Sequence, residues 1–178
     1  MGLDITAYEK VSLIRAMSVR EYNEDEQAQE EVGRDERKTL LCQDSERPQS
    51  DGMPDGIYAT SGKSAGFRAG SYGGYNQWRN TLSQMMLGKS AEAVWRMCAL
   101  PVTATKREAG KPLPFVELIN FSDCDGFIGP KTSAKLAKDF AENRSRIPVD
   151  TDRWFVDKYE QWARAFALAA NGGVVDFH

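Results

Sequence analysis

Two short stretches hold most of the residues able to bind or react. The first is Gly66-Phe67-Arg68-Ala69-Gly70-Ser71-Tyr72-Gly73-Gly74-Tyr75-Asn76-Gln77-Trp78-Arg79. Arg68 and Arg79 each offer a planar fork of N–H donors that matches a phosphate or carboxylate. The stretch runs into an expected helix, and a helix start adds free amides and a positive dipole end. Ser71 and Asn76 can hydrogen-bond a ligand, and Tyr72 can stack on a base. Tyr75 and Trp78 fall on the apolar face of the helix and are assigned to the core. A plainer reading stays open beside this one. The glycines permit a tight strand-to-helix turn, and the arginines pair with acidic loops.

The second stretch is Ser122-Asp123-Cys124-Asp125. Ser122, Asp123 and Asp125 can accept hydrogen bonds from ribose hydroxyls or amines, and can equally satisfy the amides of their own turn. Cys124 near a helix start would be a candidate nucleophile, since such a position lowers a thiol pKa. Two flanking aspartates act the other way. The single histidine is His178, the last residue of the sequence. A cysteine or serine nucleophile therefore lacks an internal histidine base. No catalytic residue is assigned, although a small enzyme using Cys124 or Asp123 remains an alternative.

Other chemistries are disfavoured by spacing. Ser61-Gly62-Lys63-Ser64 invites a phosphate-loop reading, but the candidate first glycine, Gly56, leaves one residue too many before Gly62. Cys42, Cys98 and Cys124 are odd in number and form no CxxC pair, which argues against a disulfide framework or a zinc site. No metal and no cofactor are expected. The net charge of −3 makes general nucleic-acid binding a poor fit. No 18-residue apolar run exists, so no membrane span is expected, and the start lacks a signal-peptide layout.

The positioning elements follow from periodicity. The composition, 41% hydrophobic and 28% charged, fits one domain over 1–178. Strands are expected over 3–14, 38–42, 56–60, 114–121 and 174–178, with Ser61-Gly62 as a hairpin turn and 47–56 as a loop. The 114–121 strand should be central, because its apolar run is nearly unbroken. Helices are expected over 75–87, 90–99, 130–143 and 152–170, with Gly88 ending the first and Pro130 opening the third. Residues 101–113 read as loop. Phe155, Tyr159, Trp162, Phe166 and Ala169 form a core stripe on the last helix. The polar, acidic stretch 20–38 reads as a solvated loop or an exposed helix. The fold class is α+β, a mixed or antiparallel sheet of about four to five strands packed by about four helices.

The start Met1-Gly2-Leu3-Asp4-Ile5-Thr6-Ala7-Tyr8, the Gly66–Arg79 stretch, Glu117-Leu118-Ile119-Asn120-Phe121-Ser122-Asp123-Cys124 and the ending Gly172-Gly173-Val174-Val175-Asp176-Phe177-His178 together resemble a family of uncharacterised bacteriophage and prophage proteins. The resemblance covers nearly the whole chain and carries no assigned activity. It implies a phage accessory protein in the cytoplasm of a host bacterium. In that context the expected function is non-catalytic capture of a small nucleotide-type ligand. Such a ligand could be an antiviral immune signal, for example a cyclic nucleotide or an ADP-ribose derivative. Its site would comprise Arg68, Ser71, Tyr72, Asn76, Arg79, Ser122, Asp123 and Asp125. The alternative partner is a host defence or metabolic protein, inhibited through the acidic 20–38 segment.

Overall fold

A computed structural model describes residues 2–43, 48–98 and 113–178. Five antiparallel strands form one curled sheet in the order β2-β3-β1-β5-β4, open like half a barrel. Its axis is β1 (Leu3–Ala16), paired with β3 (Gly56–Gly70) from Leu3↔Gly70 to Ala16↔Gly56. β2 (Lys38–Leu41) borders the start of β3. β5 (Val174–Phe177) pairs with Ile5–Tyr8, and β4 (Gly126–Ile128) pairs with β5. The last residue is tied in as well. His178 and Asp4 exchange backbone hydrogen bonds of 2.8 and 3.0 Å.

Strand alternation sorts the two faces of the sheet. Leu3, Ile5 and Ala7 are buried against helices α3 (Tyr72–Leu87), α6 (Pro130–Asn143) and α7 (Arg153–Ala169). The stripe Phe155, Tyr159, Trp162, Phe166 and Ala169 is buried throughout, as its spacing predicts. Trp162 packs among Phe67, Tyr75, Trp78, Phe166 and Phe177. Each fully buried aromatic contributes about 1.5–3 kcal/mol of transfer free energy. The other face holds a smaller cluster of Leu41, Tyr58, Phe127 and Val174, with Tyr8, Val11 and Met53 against it.

Three local expectations are corrected. Residues 114–121 form no strand. Phe115 takes a left-handed conformation (φ 62°) and α5 (Val116–Ile119) follows, burying Phe115, Leu118, Ile119 and Phe121. A short unbroken apolar run cannot separate a buried strand from a buried helical turn. Long-range bonds decide here. The Asp139 carboxylate accepts the Phe115 N–H at 2.7 Å, and Lys135, ion-paired to both Asp139 and Glu117, donates to the Leu113 carbonyl. Ser61-Gly62 is not a hairpin turn either. β3 runs through it, and Gly62 (φ 78°) forms an irregularity where the Glu9 carboxylate accepts the Lys63 N–H at 2.7 Å. Finally, α3 starts at Tyr72 rather than Tyr75, because the Ser71 hydroxyl caps it by accepting the Gly74 N–H.

The acidic stretch folds into α1 (Val19–Glu24) and α2 (Glu26–Arg34). Ser18 and Glu21 form a reciprocal capping box, and Asp25 caps α2. Many of its charges pair within the chain: Arg15 with Asp25 and Glu31, Lys38 with Glu31, Arg20 with Glu24 and Arg34 with Glu30. Helix α4 (Ala91–Cys98) sits on α3, where Asn80 accepts the Ala91 N–H and Ser90 caps the first turn. The loop expected over 101–113 lies outside the described residues except at Leu113.

Candidate functional site

The two chemistry-bearing stretches meet at one junction, where α3 faces the loop 121–125. Asn76 donates from Nδ2 to Asp123 Oδ2 at 2.7 Å. One turn further along α3, Arg79 donates from Nη1 to the Phe121 carbonyl at 2.6 Å. The i, i+3 spacing puts both side chains on the side of α3 facing this loop. The short, sharply turned α5 delivers Phe121 and Asp123 to them.

Arg79 is the unusual member. It is only 4% exposed. Its guanidinium lies between two rings, 5.1 Å from the Tyr75 centroid and 4.7 Å from that of Trp95. Among the described residues, no carboxylate forms an ion pair with it and no acceptor meets its Nε. A buried charge is costly unless it is paired, and cation–π contacts offset only part of that cost. The Tyr75 hydroxyl and Asn76 Oδ1 are also buried without a well-formed hydrogen bond. Burial raises the Tyr75 pKa well above its ordinary value, against the smaller opposing pull of the Arg79 charge. Three underused polar atoms thus share one junction.

The loop beyond Asp123 is satisfied from within. The Ser122 hydroxyl donates to Asp125 Oδ1 at 3.0 Å and accepts the Cys124 and Asp125 N–H groups at 3.3 Å. Cys124 is exposed, and its thiol donates to Asp125 at 3.0 Å. The Ser122 hydrogen bond lowers the thiol pKa. Hydrogen bonding to Asp125, desolvation and the two aspartate charges together outweigh it, so the pKa is raised. That is the wrong direction for a nucleophilic thiolate.

The remaining expected residues do not converge here. Arg68 lies on the sheet face opposite α3, exposed, with its guanidinium 4.0 Å from Asp4 and packed over Gly2. Its neighbours Phe67 and Ala69 take the helix-facing positions, so alternation turns Arg68 away. The two arginines expected at one site, Arg68 and Arg79, are therefore not brought together. Ser71 is an exposed helix cap. Tyr72 is half-buried against the main core. Trp95 was not anticipated. It lies in the helix expected over 90–99, and nothing in its spacing from Arg79 signals the ring contact.

Two further features lie apart from this junction. A groove of about 970 Å³ opens between the end of β1, the start of α1 and residues 48–55, lined by Met17, Glu21, Gln43, Met53 and Asp55. None of the expected site residues lines it. Glu21 is committed to the capping box and Asp55 to the Gln43 N–H, while the Gln43 side-chain Oε1 is buried without a hydrogen bond among the described residues. On the sheet face of the smaller cluster, Asp176 stands in register between Phe127 and Thr6, and its pKa is pushed up to about 8 by burial. Thr6 Oγ1 and His178 Nε2 lie 2.9 Å apart beside it. No described helix is long and apolar enough to cross a membrane. Comparison with protein-family models, with curated proteins and with solved structures finds no match to this chain.

Proposed function

We propose that this protein binds a small anionic ligand of the nucleotide type without transforming it, at the junction of α3 and the 121–125 loop. The observation that supports this is Arg79, a buried guanidinium with no ion-pair partner and an unused Nε among the described residues. A ligand phosphate would supply the missing countercharge through charge-assisted hydrogen bonds. Asn76 and Asp123, already hydrogen-bonded to each other, would exchange that bond for ribose hydroxyls or base amines. Arg68 has no part in this version of the site. The resemblance to phage proteins suggests the biological setting, sequestration of a host signalling nucleotide.

Binding without turnover matches the chemistry present. Despite the Ser122 hydrogen bond, the Cys124 thiol pKa is raised by the neighbouring aspartates, the wrong direction for a nucleophile. The test is isothermal calorimetry against a panel of mono-, di- and cyclic nucleotides and ADP-ribose, followed by mass analysis of the recovered ligand. Micromolar binding with the ligand returned intact supports the proposal. An absence of binding across the panel, or recovery of a converted product, overturns it.

A further inference from the structure

We infer that the indole of Trp95 covers the anion position at Arg79, and that the ligand reaches Arg79 by displacing it. This rests on the binding reading above and names the route into the same site.

The two rings that hold the guanidinium differ in depth. Tyr75 is fully buried in the main core, so the inner side is closed. Trp95 is 37% exposed while the guanidinium beneath it is almost wholly covered. The indole therefore forms the outer layer over the cation. Among the described residues it is held by that ring contact and a hydrogen bond from Nε1 to the Ile119 carbonyl at 2.6 Å. Ile119 lies at the end of α5, two positions before Phe121, whose carbonyl takes Arg79. The two bonds thus hold the end of α5 and the residues just after it.

The neutral Trp95 ring lies against the guanidinium, whose Nε meets no acceptor among the described residues. A phosphate or carboxylate oxygen satisfies both the charge and the donor. Charge-assisted bonds of that kind are stronger than a neutral N–H···O bond. The exchange of indole for anion is therefore favourable only for ligands that bring a negative charge. Neutral nucleosides should leave Trp95 in place.

The sequence contains four tryptophans, of which Trp78 and Trp162 are deeply buried. Fluorine NMR of 5-fluorotryptophan-labelled protein resolves them, with the Trp95 signal assigned from a Trp95→Phe variant. ADP-ribose serves as the probe and adenosine as the neutral control. The expected result is a selective shift of the Trp95 signal with ADP-ribose and none with adenosine. Stopped-flow should show ADP-ribose association at least about tenfold faster in Trp95→Ala, since the closed state no longer competes. Calorimetric binding of ADP-ribose with an unmoved Trp95 signal, or an unchanged association rate in Trp95→Ala, overturns the route and leaves the binding reading intact. If neither wild type nor Trp95→Ala binds ADP-ribose, the binding reading fails for this probe and the inferred route falls with it.

Discussion

Asn76 on α3 and Asp123 in the loop after α5 are joined by a 2.7 Å hydrogen bond across 47 positions of sequence. It sets the orientation of the Asn76 amide, whose nitrogen faces the Asp123 carboxylate as donor. Asn76 Oδ1 on the same amide is buried and has no hydrogen-bond partner among the described residues. A double-mutant cycle of Asn76→Ala and Asp123→Ala should give a coupling energy of about 0.5–1.5 kcal/mol in urea denaturation. Additive effects of the two substitutions would mean that the bond does not hold the junction together.

Arg79 pins the same junction from below. Arg79→Met should cost about 1–3 kcal/mol, because the buried charge-assisted hydrogen bond to the Phe121 carbonyl is lost. Arg79→Lys keeps a charge but loses the planar fork. It should destabilise less and still bind anions weakly. If Arg79→Met proves as stable as wild type, the energetic role given to the guanidinium is wrong.

Asp51 supplies an N-cap that helix α6 does not carry itself. Gly129 stands at the cap position, and Asp51 instead accepts the Lys131 and Thr132 N–H groups at 2.6 and 3.0 Å. Asp51→Ala should lower stability by about 1–2 kcal/mol, within the range for loss of a capping carboxylate. Chemical denaturation checks this, and a loss below a few tenths would contradict it.

Much of this fold is legible in the sequence. The stripe on α7, Pro130 at the start of α6 and the terminal strand β5 follow directly from period and capping. The 114–121 segment was not legible, because an unbroken apolar run has no period. Its helical turn depends on Asp139 and Lys135, both distant in sequence. The candidate site was half legible. Asn76, Arg79 and Asp123 were identified from their chemistry and do meet. Arg68 looked equivalent to Arg79, but strand alternation sends it to the opposite face. Trp95 reaches Arg79 only through the packing of α4 on α3, which no local pattern encodes.

Asp176 gives a pH dependence of defined sign. Its folded pKa of about 8 lies above the usual carboxylate value, so the folded state keeps a proton that the unfolded chain releases. Stability is therefore lost as pH rises from about 4 to about 8. The pKa values of Asp55 and Asp139 are raised as well, so the Asp176→Asn variant isolates one contribution. The residue keeps part of its surface in solvent, which tempers the cost. Asp176→Asn should be near neutral at pH 4 and stabilising by about 1–3 kcal/mol at pH 8. Parallel stability curves for the two proteins would contradict this.

The central claim is that Arg79, and not Arg68, holds the anion of a small ligand. Calorimetric titration of wild type, Arg79→Lys and Arg68→Ala with the nucleotide panel tests it most directly. The account predicts micromolar binding of at least one nucleotide, weakened about tenfold or more in Arg79→Lys and unchanged within about twofold in Arg68→Ala. Binding that survives Arg79→Lys at full strength, or that disappears in Arg68→Ala, would contradict it.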